Sequence, residues 1–269
     1  MRRWSRTIVS LFVAAFMVAT VVLPAVADPI IHDVRPGYGV TAIGWISDYH
    51  TPLRGSAVDT RVYYLDSGVE GPTTLILGGT HSNEIAGIMA AKLLVERAVV
   101  TRGRLIVVPY ANASGASYAD TYHPEIGYYS LTTESGVRTF RYGDRRTSLE
   151  HHGPDPQRYI HYPSGQEFPG NESRNLDRAY PGKADGNLTQ QLAYAYNQLL
   201  LEEKVGVAFD LHEAGPTSRL ANMVVANPKN LDFAAMAIVE LEMQGIVMNV
   251  EHSSDDFHGL SHREWGDCT

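Results

Sequence analysis

The chain has 269 residues, 44% of them hydrophobic, and a formal net charge of -8. That length suits one large domain with a sizeable core, and an acidic surface repels phosphate backbones, which excludes nucleic acid as a partner class. The one cysteine, Cys268, rules out an internal disulfide and a multi-cysteine metal site, so any metal must be held by His, Asp or Glu.

The first element in chain order is a targeting segment. Arg2, Arg3 and Arg6 precede an apolar run from Ile8 to Leu23, and Ala25-Val26-Ala27 supplies the small-x-small pattern read by signal peptidase. Residues 1–27 read as a signal peptide and residues 28–269 as the mature domain. A short membrane anchor is the alternative, but the break at Pro24 and the Ala-x-Ala site favour cleavage. No later segment is apolar enough to cross a bilayer. The mature protein is therefore expected to be exported, periplasmic or extracellular, with no membrane attachment.

Residues 61–66 (RVYYLD) and 73–78 (TTLILG) read as β-strands, rich in β-branched and aromatic side chains. Residues 84–97 (EIAGIMAAKLLVER) read as a helix, with apolar positions recurring three and four apart. A strand at 104–109 (RLIVVP) follows, and strand–helix–strand order predicts an α/β fold with a largely parallel central sheet flanked by helices. Residues 110–187 differ: polar, rich in Gly and Pro, with nine tyrosines. So long a stretch is expected to be an ordered wall around a pocket, the alternative being a solvated insertion. Helix and strand signals then resume, with a helix at 189–203, strands at 205–211 (VGVAFDL) and 221–226, and a helix at 230–244. After Trp265 the sequence runs out in Gly-Asp-Cys-Thr, with no further strand or helix expected.

Three clusters carry chemistry. Gly78-Gly79-Thr80-His81-Ser82-Asn83-Glu84 sits where a buried strand gives way to a helix, the place where ligands bind in parallel sheets. His81 and Glu84 are close enough around a tight turn to meet one ion, and His-x-x-Glu occurs once in the chain. The plainer reading of Glu84 is a first-turn acid complementing the helix dipole. In Phe209-Asp210-Leu211-His212-Glu213-Ala214-Gly215, a second hydrophobic strand delivers His212 to its carboxyl end, and Asp210 is a candidate to hold that histidine's far nitrogen. A core histidine hydrogen-bonded at a strand end is the alternative. The third cluster, from Ser173 to Gly182, sets Arg174 and Arg178 among turn formers. Guanidinium forks suit recognition of a substrate carboxylate, whereas pairing with Asp177 or Glu172 would make them structural.

In order and spacing, GGTHSNEIAG, NLDRAYPG and FDLHEAG resemble the succinylglutamate desuccinylase/aspartoacylase branch of the zinc carboxypeptidases over roughly residues 60–269. The resemblance implies a zinc carboxypeptidase-like α/β fold and one zinc ion per chain, held by His81, Glu84 and His212. It also implies a substrate carboxylate bound by Arg178, with Asp177 and Arg174 beside it. Asp177 stands where the family has Asn, so it would repel an anion unless Arg174 or Arg178 neutralises it. The implied function is hydrolysis of an amide bond in a small carboxylated substrate, an N-acyl amino acid or a peptide C-terminus. The family's catalytic glutamate is expected just past Thr269, which would make the chain incomplete at its C-terminus. Glu264 is a fallback base, more often a solvated surface residue in such a place. The alternative function is a non-catalytic module binding zinc and a carboxylate.

Overall fold

The computed structural model describes residues 33–134 and 136–268. The expected signal peptide, residues 1–27, lies outside them. Among the described residues no helix is long and apolar enough to cross a membrane.

In chain order the elements are β1 (Ala42–Trp45), β2 (Arg61–Asp66), β3 (Thr73–Gly78), α1 (Ile85–Arg97), β4 (Arg104–Val108), α2 (Ala113–Ala116), β5 (Tyr128–Thr133), β6 (Gly136–Arg141), α3 (Leu149–His152), β7 (Arg158–Ile160), β8 (Glu167–Pro169), α4 (Leu188–Glu202), β9 (Val205–Leu211), β10 (Met223–Ala226), α5 (Leu231–Met243), β11 (Asn249–His252) and α6 (Ser261–Cys268). The central sheet has the order β1-β2-β4-β3-β9. β4, β3 and β9 pair in parallel, while β2 is antiparallel to both β4 and β1. Every strand but β2 therefore runs the same way, as a strand–helix–strand sequence order requires.

Alternation along the strands splits the core between two faces. Leu75, Leu77, Ile106 and Val108 point to one side, where Leu192, Ala193, Tyr196 and Leu199 of α4 cover them. Val107, Tyr63 and Leu65 point to the other, against Ala91 and Val95 of α1. α4 starts from a reciprocal capping box between Asn187 and Gln190, an arrangement worth about 1 kcal/mol.

α1 lies unusually close to the ends of β3 and β9, and Gly87 is what permits it. A methyl group there would stand 2.4 Å from the Leu211 carbonyl oxygen. Just after β3, Gly79 takes φ = 70°, a left-handed conformation that glycine adopts without strain and that turns the chain sharply toward His81.

The described residues of the stretch 110–187 form short hairpins and turns. β5 pairs with β6 and β7 with β8, and two 3-10 turns span Gly170–Arg174 and Leu176–Arg178. Toward the C-terminus, β10 and β11 form a separate parallel pair packed by α5. The expectation of no element after Trp265 needs correcting. Ser261–Cys268 is helical, a polar octet that carries no apolar period long enough to announce itself and is held by packing on β9 and β10.

Candidate metal centre

β3 and β9 are neighbours, so their parallel register delivers Gly78 and Leu211 side by side and releases His81 and His212 at the same edge. Thr80 clasps the two ends together by donating from Oγ1 to Asp210 Oδ1 at 2.7 Å. The histidine rings come to 4.9 Å between centroids.

Glu84 lies between them. It is the N-cap residue of α1, but its side chain makes no cap bond. One carboxylate oxygen is 2.8 Å from His81 Nδ1, and the other is 2.8 Å from His212 Nδ1. Glu213 N donates to the second oxygen at 3.0 Å and Arg145 Nη1 to the first at 3.0 Å. Donor atoms of His81, Glu84 and His212 all fall within 4.8 Å of one another. The first-turn acid of the plainer reading is thus turned away from the helix and into the cluster.

Each histidine is held from behind. His81 Nε2 is 3.0 Å from Asn175 Oδ1, and His212 Nε2 is 3.3 Å from Asp210 Oδ2, the partner that the sequence suggested. With the far nitrogens engaged, both Nδ1 atoms face the shared centre. Two imidazole nitrogens and one carboxylate, fixed by outer partners and leaving a coordination position open, form a donor set that suits a catalytic first-row metal ion.

Charge within the cluster is strongly coupled. Burial alone would raise the pKa of Glu84, but hydrogen bonds from His212 and His81, with their charge, hold it far below the usual carboxylate range. For His212, burial would lower the pKa, yet the Asp210 carboxylate and the hydrogen bonds to Asp210 and Glu84 raise it well above the ordinary imidazole value.

The third cluster divides. Asp177 belongs to a second group around His212, in which one of its carboxylate oxygens, one from Asp210 and a nitrogen of His212 all lie within 4.8 Å of one another. Asp177 Oδ1 accepts from Ser261 N at 3.1 Å, and Oδ2 is 3.6 Å from Arg178 Nη1. Arg178 is also 3.8 Å from Glu172 and sits between the rings of Phe168 and Phe257. Arg174 points elsewhere, forming two bonds to Asp155 at 2.7 and 3.1 Å and a third to the Thr147 carbonyl. Arg178 thus makes the contacts to Asp177 and Glu172 named in the structural alternative, and of the two arginines it is the one that stands beside Asp177. Glu264 is buried rather than solvated, its Oε1 accepting from His258 Nδ1 at 2.9 Å and Gly259 N at 3.0 Å.

Sequence reasoning assigned no role to Arg145, Asn175 or Asn83. Asn83 donates to the buried Asp120 at 3.0 Å, which fixes the His81–Glu84 turn to the long insertion. These contacts join positions 37 to 94 residues apart, and nothing local in the sequence marks them, although Asn175 lies inside the third cluster.

Residues 70–268 match the family model of the succinylglutamate desuccinylase/aspartoacylase catalytic domain. N-alpha-acetyl-L-2,4-diaminobutyric acid deacetylase of Halomonas elongata is 28% identical over 150 residues, covering 55% of this chain and 30% of the deacetylase. Among solved structures, a metallo-carboxypeptidase from Burkholderia cenocepacia superposes with a TM-score of 0.54 at 13% identity, covering 89% of this chain and 55% of that one. A succinylglutamate desuccinylase from Silicibacter sp. TM1040 gives a TM-score of 0.47 at 20% identity, over 78% of this chain and 50% of that one. The chain thus spans about a third of the deacetylase and about half of each of the two solved structures.

Proposed function

Because the chain belongs to the succinylglutamate desuccinylase/aspartoacylase family, we propose that it is an exported zinc-dependent hydrolase cleaving an amide bond in a small carboxylated substrate. The observation that carries this reading is the convergence of His81, Glu84 and His212 on one point, with both far nitrogens engaged. These three residues would hold one zinc ion. When bound, it supplies Lewis acidity and activates water at neutral pH.

Arg178 would bind the substrate carboxylate and so orient the amide toward the cluster. Its guanidinium is preorganised by Glu172, Asp177 and the two flanking rings. Arg145, which donates to Glu84, would add a positive charge beside the cluster that could stabilise charge developing on a substrate carbonyl. Arg174, committed to Asp155, would hold the wall in place rather than touch substrate. An N-acyl amino acid is the substrate class favoured over a peptide C-terminus, supported by the deacetylase relative, whose name specifies an acetylated amino acid. Export is supported by the sequence of residues 1–27.

The test is amine release by the full-length protein from a panel of N-acetyl and N-succinyl amino acids, with and without zinc. Turnover lost on chelation, restored by zinc, and shifted to higher KM in Arg178→Lys supports the reading. A folded protein that holds zinc yet turns over none of the panel would favour a binding module instead.

A further inference from the structure

The two histidines of the centre are backed by different chemistry. Behind His212 stands the carboxylate of Asp210. Behind His81 stands a neutral amide, Asn175, which is fully buried. The orientation of that amide is settled by its other neighbours. Its Nδ2 donates to Glu172 Oε2 at 2.7 Å, and a carboxylate can only accept. Its Oδ1 also receives Asp177 N at 3.0 Å. Oδ1 is therefore the atom facing His81, so Nε2 must carry the proton, which leaves Nδ1 as the nitrogen able to bind a metal. Glu172 is itself fixed by Arg146 Nη2 at 2.5 Å. A line of contacts runs from Arg146 through Glu172 and Asn175, all three in the insertion, to His81 at the end of β3.

We infer that Asn175, anchored by Glu172, is a positioning residue that sets His81 in its metal-accepting tautomer and makes it the weaker of the two imidazole donors. The weaker donation follows because an amide oxygen withdraws less proton density from Nε2–H than a carboxylate does, and ligand basicity follows the outer partner. An aspartate in place of Asn175 would face Glu172 without a donor between them. The amide alone accepts from His81 while donating to Glu172, and this accounts for a neutral group at this position. The inference rests on the zinc reading of the site.

The test is zinc affinity by chelator competition in wild type, Asn175→Ser, Asn175→Leu and Asn175→Asp, with thermal melts of each. Serine can still cap the 3-10 turn at Leu176–Arg178 but is too short to reach His81, so loss of the contact is separated from loss of the turn. Asn175→Ser and Asn175→Leu should bind zinc about 10–100-fold more weakly, the usual cost of losing an outer partner. Asn175→Asp, which keeps an acceptor, should bind as tightly as wild type or more so while melting lower. A folded Asn175→Ser protein with wild-type zinc affinity overturns the inference and leaves the zinc reading standing. So does an Asn175→Asp protein as weak as Asn175→Ser. A wild type that takes up no zinc overturns both.

Discussion

The two strands that build the metal centre end in very different surroundings. β3 lies between β4 and β9, and its Leu75 and Leu77 are fully buried. β9 is the last strand of the sheet among the described residues, and Phe209 on it is 36% exposed. The histidines inherit the difference: His81 has 2% of its surface exposed, whereas a third of the His212 side chain is open. Beyond β9, α5 leaves Phe233, Met236, Val239 and Met243 uncovered, and Ile76, Leu93, Phe209 and Leu211 line an open apolar groove. One half of the centre is thus held by a packed core, and the other chiefly by polar contacts to the first, through Glu84, Thr80 and Asp210. Burial and hydrogen bonds together fix His81, whereas polar contacts chiefly fix His212.

Core truncation should expose that asymmetry most strongly. Leu77→Ala should cost about 3–4 kcal/mol in urea unfolding, the range for a fully buried leucine that leaves a cavity. Phe209→Ala, already partly open, should cost about 1 kcal/mol, since little additional surface is lost from the core. Equal losses would mean that β9 is as firmly packed as β3. Gly87→Ala attacks the place where α1 spans both strands. Its methyl group would meet the Leu211 carbonyl, and the overpacking should cost about 2 kcal/mol. Because β9 has less packing to resist the push, zinc affinity should fall with stability in this variant. Arg174→Ala should destabilise by about 2 kcal/mol through its lost bonds to Asp155 and Thr147, with KM unchanged.

The smallest effect is the pH dependence of the metal-free protein. The pKa of Glu84 is depressed on folding, so its contribution is fully present above its ordinary value of 4.5 and is lost as pH falls through the folded value. The pKa of His212 is raised on folding, so its contribution is full below its ordinary value of 6.5 and is lost as pH rises through the folded value. From these two groups, metal-free protein should melt highest between about pH 4.5 and 6.5. Zinc requires neutral imidazole, so the rise in Tm on adding zinc should be larger at pH 8 than at pH 6. A zinc-induced rise in Tm that does not depend on pH would separate His212 from the metal.

Much of this was legible in the sequence. The strands at 61–66, 73–78 and 205–211 and the three long helices declared themselves because burial on a sheet or a helix stripe imposes a period on apolar residues. The two histidine clusters were readable because a hydrophobic strand ending in a polar, glycine-containing turn is a local pattern, although β9 proved only partly buried. β1 was not: Ala42–Trp45 is short and mostly exposed, with no alternation to read. Nor was the fate of the arginines. Arg174 and Arg178 lie four residues apart in one polar cluster, and only the fold shows that one meets Asp155 while the other stands beside Asp177. Asn175 escaped for the same reason, since its partner His81 lies 94 residues away and an asparagine in a turn looks like any other.

The most direct measurement is the metal content of the purified chain, with zinc supplied, beside His81→Ala and His212→Ala. Wild type should hold about one zinc per chain and neither variant should retain any after dialysis, despite the different burial of the two histidines. A folded wild type without zinc, or either variant retaining the wild-type amount, would contradict a zinc site shared by both histidines.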